Sequence, residues 1–340
     1  MKETKKQNKK VSKIAAFFGG IKNRLRLFLA HRPHRSFRLT PRRDYKRTLV
    51  MPGYWAFTNE VRRTLWQNRR LFLGVVLIYT LLSVVAVGMI SQDTYSELSD
   101  YLQEAGAEVV GGNVGMLTRA LVVFGATVMG DLNGGTLSEA QQLYSALLAL
   151  LCWLTVVWLL RQRLAGHKVK LRDGIYSSGS PIVASLIVLL VVIVQLLPLA
   201  IGFIGLQTAQ ASGIAQGGVE AMLLWFVIGL LGVLSLYWLT GSLIGFVLVT
   251  LPGMYPFKAL KEAGELVLGR RLRLMLRLVW LMAIVVITWA VVLIPIILLD
   301  RLLHIEWLPL VPVAVVLVGA LTVVWTATYI YLLYRKLIDA

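Results

Sequence analysis

The sequence predicts an all-α, polytopic integral membrane protein: six transmembrane helices in three hairpins, with an amphipathic helix on a basic cytoplasmic N-terminal arm. Three observations predict this. The chain of 340 residues is 57% hydrophobic and only 15% charged, with a mean hydropathy of +0.72, whereas soluble domains carry about a quarter charged residues. The apolar residues are gathered into long runs without charge. The cations lie almost wholly on alternate sides of those runs.

The runs are residues 71–91, 143–160, 181–207, 221–251, 278–299 and 308–334. Each is near or above the ~20 residues that a helix needs to cross the hydrocarbon layer. Within lipid every backbone amide must be satisfied inside its own segment, which selects helices over open strands. Short alternating strands of the barrel type do not occur in the sequence.

Charge sets the expected orientation. Residues 1–70 hold 20 of the 35 Lys and Arg against three acids, Glu3, Asp44 and Glu60. With a cytoplasmic N-terminus and six crossings, 161–180, 252–277 and the C-terminal tail also lie inside. That places 33 cations inside and two, Arg119 and Arg301, outside, as the positive-inside rule requires. The expected location is therefore the cell (plasma or inner) membrane, with both termini cytoplasmic.

Along the chain, residues 1–52 read as a basic arm and 53–340 as the membrane domain. Lys2–Lys13 followed by Ile14–Ile21 looks like the start of a signal peptide. Its apolar part is short, Lys22, Arg24 and Arg26 interrupt it, and no small-residue cleavage site follows; the reading is an uncleaved arm. Residues 11–29 form an amphipathic helix. Val11, Ile14, Phe17, Phe18, Ile21, Leu25, Phe28 and Leu29 fall on a face about 120° wide, with Lys13, Lys22, Arg24 and Arg26 off it. Such a helix suits the membrane interface. The linker that follows, HRPHRSFRLTPRRDYKR, includes Arg42 and Arg43, and Pro33, Pro41 and Pro52 block regular helix. Its expected partner is the anionic inner leaflet, where each basic residue contributes about 1 kcal/mol, or an acidic cytoplasmic protein. Nucleic acid is disfavoured, because the stretch lacks a recognition fold and a stacking platform.

Next, GYWAFTNEVRRTLWQNRR predicts an interfacial helix that turns into the first span at Arg69–Arg70. Tyr54, Phe57, Val61 and Leu65 share a face, and Trp55 and Trp66 flank it as headgroup anchors. A related pattern recurs at ALKEAGELVLGRRLR (259–273), where Arg270 and Arg271 precede span five. WLLRQRL (158–164) and YLLYRKL (331–337) close spans two and six in the same style, and 168–182 leads into span three. These echoes suggest three hairpins entered from the cytoplasm through basic segments. Residues 115–130 are apolar but short and carry Arg119, which fits an outer interfacial or re-entrant element. Span four is long enough that it must tilt, protrude or break, with Gly241–Ser242 as the expected break.

The six spans and the motif VLVTLPGMYPFKALKEAGELVLGRR (247–271) resemble the membrane domain associated with some glycerophosphoryl diester phosphodiesterases, and related stand-alone bacterial membrane proteins. The resemblance covers about 55–337. It implies a six-span helical domain. In that family the phosphodiesterase activity belongs to a separate soluble domain, so no catalytic residue carries over.

Chemistry is sparse. No ionisable residue lies near the middle of any run, although such residues mark relays and pumps. His31, His34, His167 and His304 lie outside the runs, no metal-ligand spacing occurs, and Cys152 is single. The acidic stretch Asp93, Glu97, Asp100, Glu104 and Glu108 reads as a solvated helix face. No enzyme activity, cofactor or metal is expected. The intramembrane polar residues are Gln195, Tyr237, Thr240 and Ser242, which would line a path if they converged. Pro198 and Pro295 are expected to kink their helices. Gly241 and Gly245 form a small-xxx-small pair for close helix approach. The leading expectation is a membrane scaffold or assembly factor; the alternative is a transporter or lipid-handling protein.

Overall fold

Helices account for the architecture of the computed structural model, which describes residues 51–87, 139–211, 218–303 and 310–339. The amphipathic segment 11–29, most of the basic linker, the acidic stretch and 115–130 lie outside the described residues, and so do Lys13, Phe17, Phe18, Lys22, Arg24, Arg26, Arg42 and Arg43. The helices are α1 (Tyr54–Gln67), α2 (Arg69–Val87), α3 (Glu139–Leu164), α4 (Leu171–Ser178), α5 (Ile182–Ala211), α6 (Gly218–Leu248), α7 (Pro256–Val267), α8 (Arg271–Leu303) and α9 (Leu310–Ile338). The described residues contain no strand.

Five of these helices, α3, α5, α6, α8 and α9, are long and apolar enough to cross a membrane. The number becomes six if α1 and α2 count as one bent span, since they meet at 86°. Adjacent pairs pack together: α2 on α3, α5 on α6, and α8 on α9. α9 is the hub, touching α1, α2, α3, α6 and α8.

The core between the helices is apolar, and a few polar ties cross it. Thr155 donates its one proton to the Leu151 carbonyl at 2.8 Å, so the Tyr79 hydroxyl must be the donor in their 2.8 Å contact between α2 and α3. By the same logic Thr322 donates to Val318 and accepts from the Trp289 indole at 2.8 Å, joining α8 to α9. Lipid is as apolar as Leu, so such hydrogen bonds and close packing, not hydrophobicity, select helix neighbours.

α6 runs unbroken through Gly241–Ser242, in contrast to the expected break. Thr240 returns its hydroxyl to the Leu236 carbonyl at 2.7 Å, within the helical ladder. The chain turns only after Leu248, where Gly253 takes φ 74°. Gly245 serves close approach instead: a Cβ there would lie 3.1 Å from Leu260 of α7, whereas one at Gly241 would meet nothing within 4 Å. Ala263 of α7 lies 3.7 Å from the same point at Gly245, and with Ala259 and Val267 it forms the buried side of that helix. Only half of the Gly241/Gly245 pair is therefore a packing site toward this neighbour. α5 and α8 stay continuous across Pro198 and Pro295.

Candidate functional site

The richest side-chain chemistry gathers where α1 docks at one end of the bundle. α1 starts after Gly53 without a side-chain cap, so its tertiary contacts hold it. Phe57 and Val61, one turn apart, are fully buried. Phe57 meets the Tyr329 ring of α9 edge-on at 4.8 Å. Thr58 accepts from the Trp280 indole of α8 at 3.1 Å, and Trp280 also packs on Tyr54 and Trp55, at 5.7 and 5.1 Å. Glu60 pairs with Lys336 at 3.0 Å.

Arg277 is the centre of this clasp. Its guanidinium lies over the Tyr54 and Phe57 rings at 5.2 and 5.3 Å and donates to the Pro52 carbonyl. Its own carbonyl accepts from the Tyr329 hydroxyl at 3.3 Å. Only 6% of Arg277 is exposed. A planar cation suits this stack in a way a lysine would not. Sequence reasoning counted Arg277 as a loop charge. The structure starts α8 at Arg271, so Arg277 lies inside a helix. The signal was its place within an apolar run, Met275-Leu276-Arg277-Leu278-Val279-Trp280.

α1 ends at Asn68, whose backbone N–H reaches back to Leu65 and whose carbonyl accepts from Leu71 and Phe72 of the next helix. One residue therefore closes α1 and opens α2. Its side-chain oxygen accepts from Arg163 Nε at 2.7 Å, tying the bend to the end of α3. The neighbouring Arg161 donates to the Thr250 carbonyl at 2.7 Å, just past α6. A cation there complements the unsatisfied carbonyls of a helix C-terminus.

The predicted anchors divide. Trp55 and Trp66 are each 68% exposed. Trp66 lies under the Arg69 guanidinium at 5.5 Å, and Arg69 and Arg70 are exposed at the start of α2. Arg271 sits over the Tyr237 ring at 4.8 Å. Arg270 differs from an interfacial anchor. It is 5% exposed, because Gly269, at φ 77°, turns the chain inward and the Arg270 carbonyl then accepts from Leu274 at the start of α8.

The predicted polar residues do not lie along one line. Thr240 and Ser242 are both buried, yet two residues of helix separate them by about 200°, on opposite sides of α6. Tyr237 is exposed and engaged by Arg271. Among the described residues the buried side-chain oxygen of Gln195 meets no hydrogen-bond partner, and neither do the hydroxyls of Ser185 and Ser235. Among the described residues no group of His, Cys, Asp or Glu could hold a metal ion.

Beneath α1 a groove of about 350 Å³ opens between α1–α2 and α8–α9. Its walls are apolar, with Leu73, Val76, Ile284 and Leu321 among them, and Arg62 and Arg69 line it from α1 and α2. Compared with protein-family models, with curated proteins and with solved structures, the chain gives no match in any of the three.

Proposed function

We propose that this multi-pass protein is a non-catalytic membrane scaffold or assembly factor. In this reading six spans form three hairpins in the cell membrane, with both termini cytoplasmic. Its basic face and N-terminal arm hold the anionic inner leaflet or an acidic protein partner. The organisation proposed is that of the membrane domain found beside some glycerophosphoryl diester phosphodiesterases.

The observation that carries this is the gathering of the junctions at one end. The α1–α2 bend, the ends of α3, α6 and α9 and the start of α8 meet through Asn68, Arg163, Arg161, Thr250, Lys336 and Arg277. These are the segments that the charge count assigns to the cytoplasm. The same end leaves Trp55, Trp66, Arg62 and Arg63 exposed on α1, the composition of a surface at headgroup depth. The placement of Thr240 and Ser242 on opposite sides of α6 weighs against a polar path through these residues.

Two measurements test the reading. With Lys168→Cys in the α3–α4 connection, an impermeant thiol reagent should label inside-out vesicles and spare right-side-out ones; the reverse pattern would refute the orientation. In nanodiscs, trypsin cleavage of the arm in the full chain should slow when anionic lipid is added and recover above ~0.5 M salt, where screening shortens to a few ångströms. Cleavage indifferent to lipid charge would remove the leaflet-binding role and leave the acidic protein partner.

A further inference from the structure

We infer that the groove beneath α1 is a discrete site for one anionic phospholipid of the cytoplasmic leaflet. The inference rests on the membrane placement proposed above but not on the basic arm. In that placement the groove runs along α2, α8 and α9 from headgroup depth into the hydrocarbon layer, where lipid is the surrounding medium. Leu73, Val76, Ile284, Val285 and Leu321 give it an apolar wall fit for an acyl chain. Its volume, about 350 Å³, is that of a small-ligand pocket.

Charge identifies the headgroup. Arg62 and Arg69 line the groove, and among the described residues no Asp or Glu does. Neither arginine has a carboxylate partner among the described residues; the nearby acid, Glu60, is taken by Lys336. Trp66 holds the Arg69 guanidinium from one side, leaving its N–H edge for an acceptor. Two such cations attract a phosphate. Without a carboxylate beside them they disfavour the ammonium of a zwitterionic headgroup, so the site selects a lipid of net negative charge.

Trp325 of α9 also lines the groove. The α1 clasp shapes the site, because the elbow places Arg62 of α1 and Arg69 of α2 at one groove.

Native mass spectrometry of the full chain, released from nanodiscs of mixed phosphatidylcholine and phosphatidylglycerol, tests this. One retained phosphatidylglycerol per chain is expected. Arg62→Gln with Arg69→Gln should reduce its occupancy on the order of tenfold or more, and Leu321→Trp, which fills the groove, should also displace it. Arg63→Gln with Arg70→Gln removes the same charge from outside the groove and should leave occupancy unchanged. Thermal unfolding of each variant checks that it is folded. Equal losses in the two arginine pairs would reduce the site to diffuse surface attraction and overturn the inference. So would a groove that retains no phospholipid in the unaltered chain, whatever fills it instead. The trypsin assay above reads the arm alone: lost leaflet protection with retained lipid would sink the arm's role and spare the groove.

Discussion

The α5–α6 pair and the bundle around α9 are equally at home in lipid but are built differently. α5 has a mean hydropathy of 3.0, the highest among the spans, yet only 17% of its most apolar stretch is buried, and for α6 the figure is 11%. α3 and α9 have hydropathies of 2.2 and 2.1 and are 44% and 39% buried. α6 and α3 share a hydropathy of 2.2 yet differ fourfold in burial, so apolarity does not set the packing. In a bilayer, hydrocarbon solvates a leucine as well as another leucine does, so apolarity alone gives helices no reason to associate. The packed region carries the Tyr79–Thr155 and Trp289–Thr322 pairs, each joining two helices, and Arg277, which ties α8 to the Pro52 carbonyl ahead of α1. The α5–α6 pair turns Leu190, Ile201, Met222 and Phe226 outward.

The sharpest test of this contrast is a pair of truncations. Leu154 of α3 is 1% exposed and Leu190 of α5 is 62% exposed. Leu154→Ala should cost about 2–5 kcal/mol through its cavity, and Leu190→Ala less than ~0.5 kcal/mol, read as thermal unfolding in a lipid-like detergent. Equal losses would break the comparison and mean that another surface covers α5. Next comes Gly245→Leu, which must displace Leu260 of α7 and should cost about 1–3 kcal/mol. Gly241→Ala, where an added Cβ meets nothing within 4 Å, should cost nothing and gain helix propensity.

Hydrogen bonds between spans come third. Tyr79→Phe removes the donor to Thr155 while Thr155 keeps its bond to Leu151, so roughly 0.6–2 kcal/mol should be lost. The smallest effect is expected from Lys336→Ala. Its ion pair with Glu60 is 35–38% exposed, and such pairs contribute about 0–1 kcal/mol. A larger loss, measured in the same way, would show that docking of α1 depends on that pair as well as on the Arg277 clasp.

Much of this molecule was legible in the amino-acid order. The apolar runs determined where helices could cross, because transfer into hydrocarbon depends on composition over about 20 residues. The spacing of Phe57, Val61 and Leu65 and the following Arg69–Arg70 determined an amphipathic helix that bends into the first span, and the structure turns it through 86°. Cations determined which segments should share a side. Tertiary structure alone decided that Arg277 is a buried clasp rather than a loop charge, that Gly245 packs while Gly241 faces open space, that Arg270 turns inward, and that Arg62 and Arg69 line one groove. Each of these depends on a neighbour far away in sequence: Pro52 and Tyr329 for Arg277, Leu260 for Gly245, α8 and α9 for the groove. Partition into a membrane is a local sum over a segment. Packing within it is a pairwise matter between helices, and no single segment carries that information.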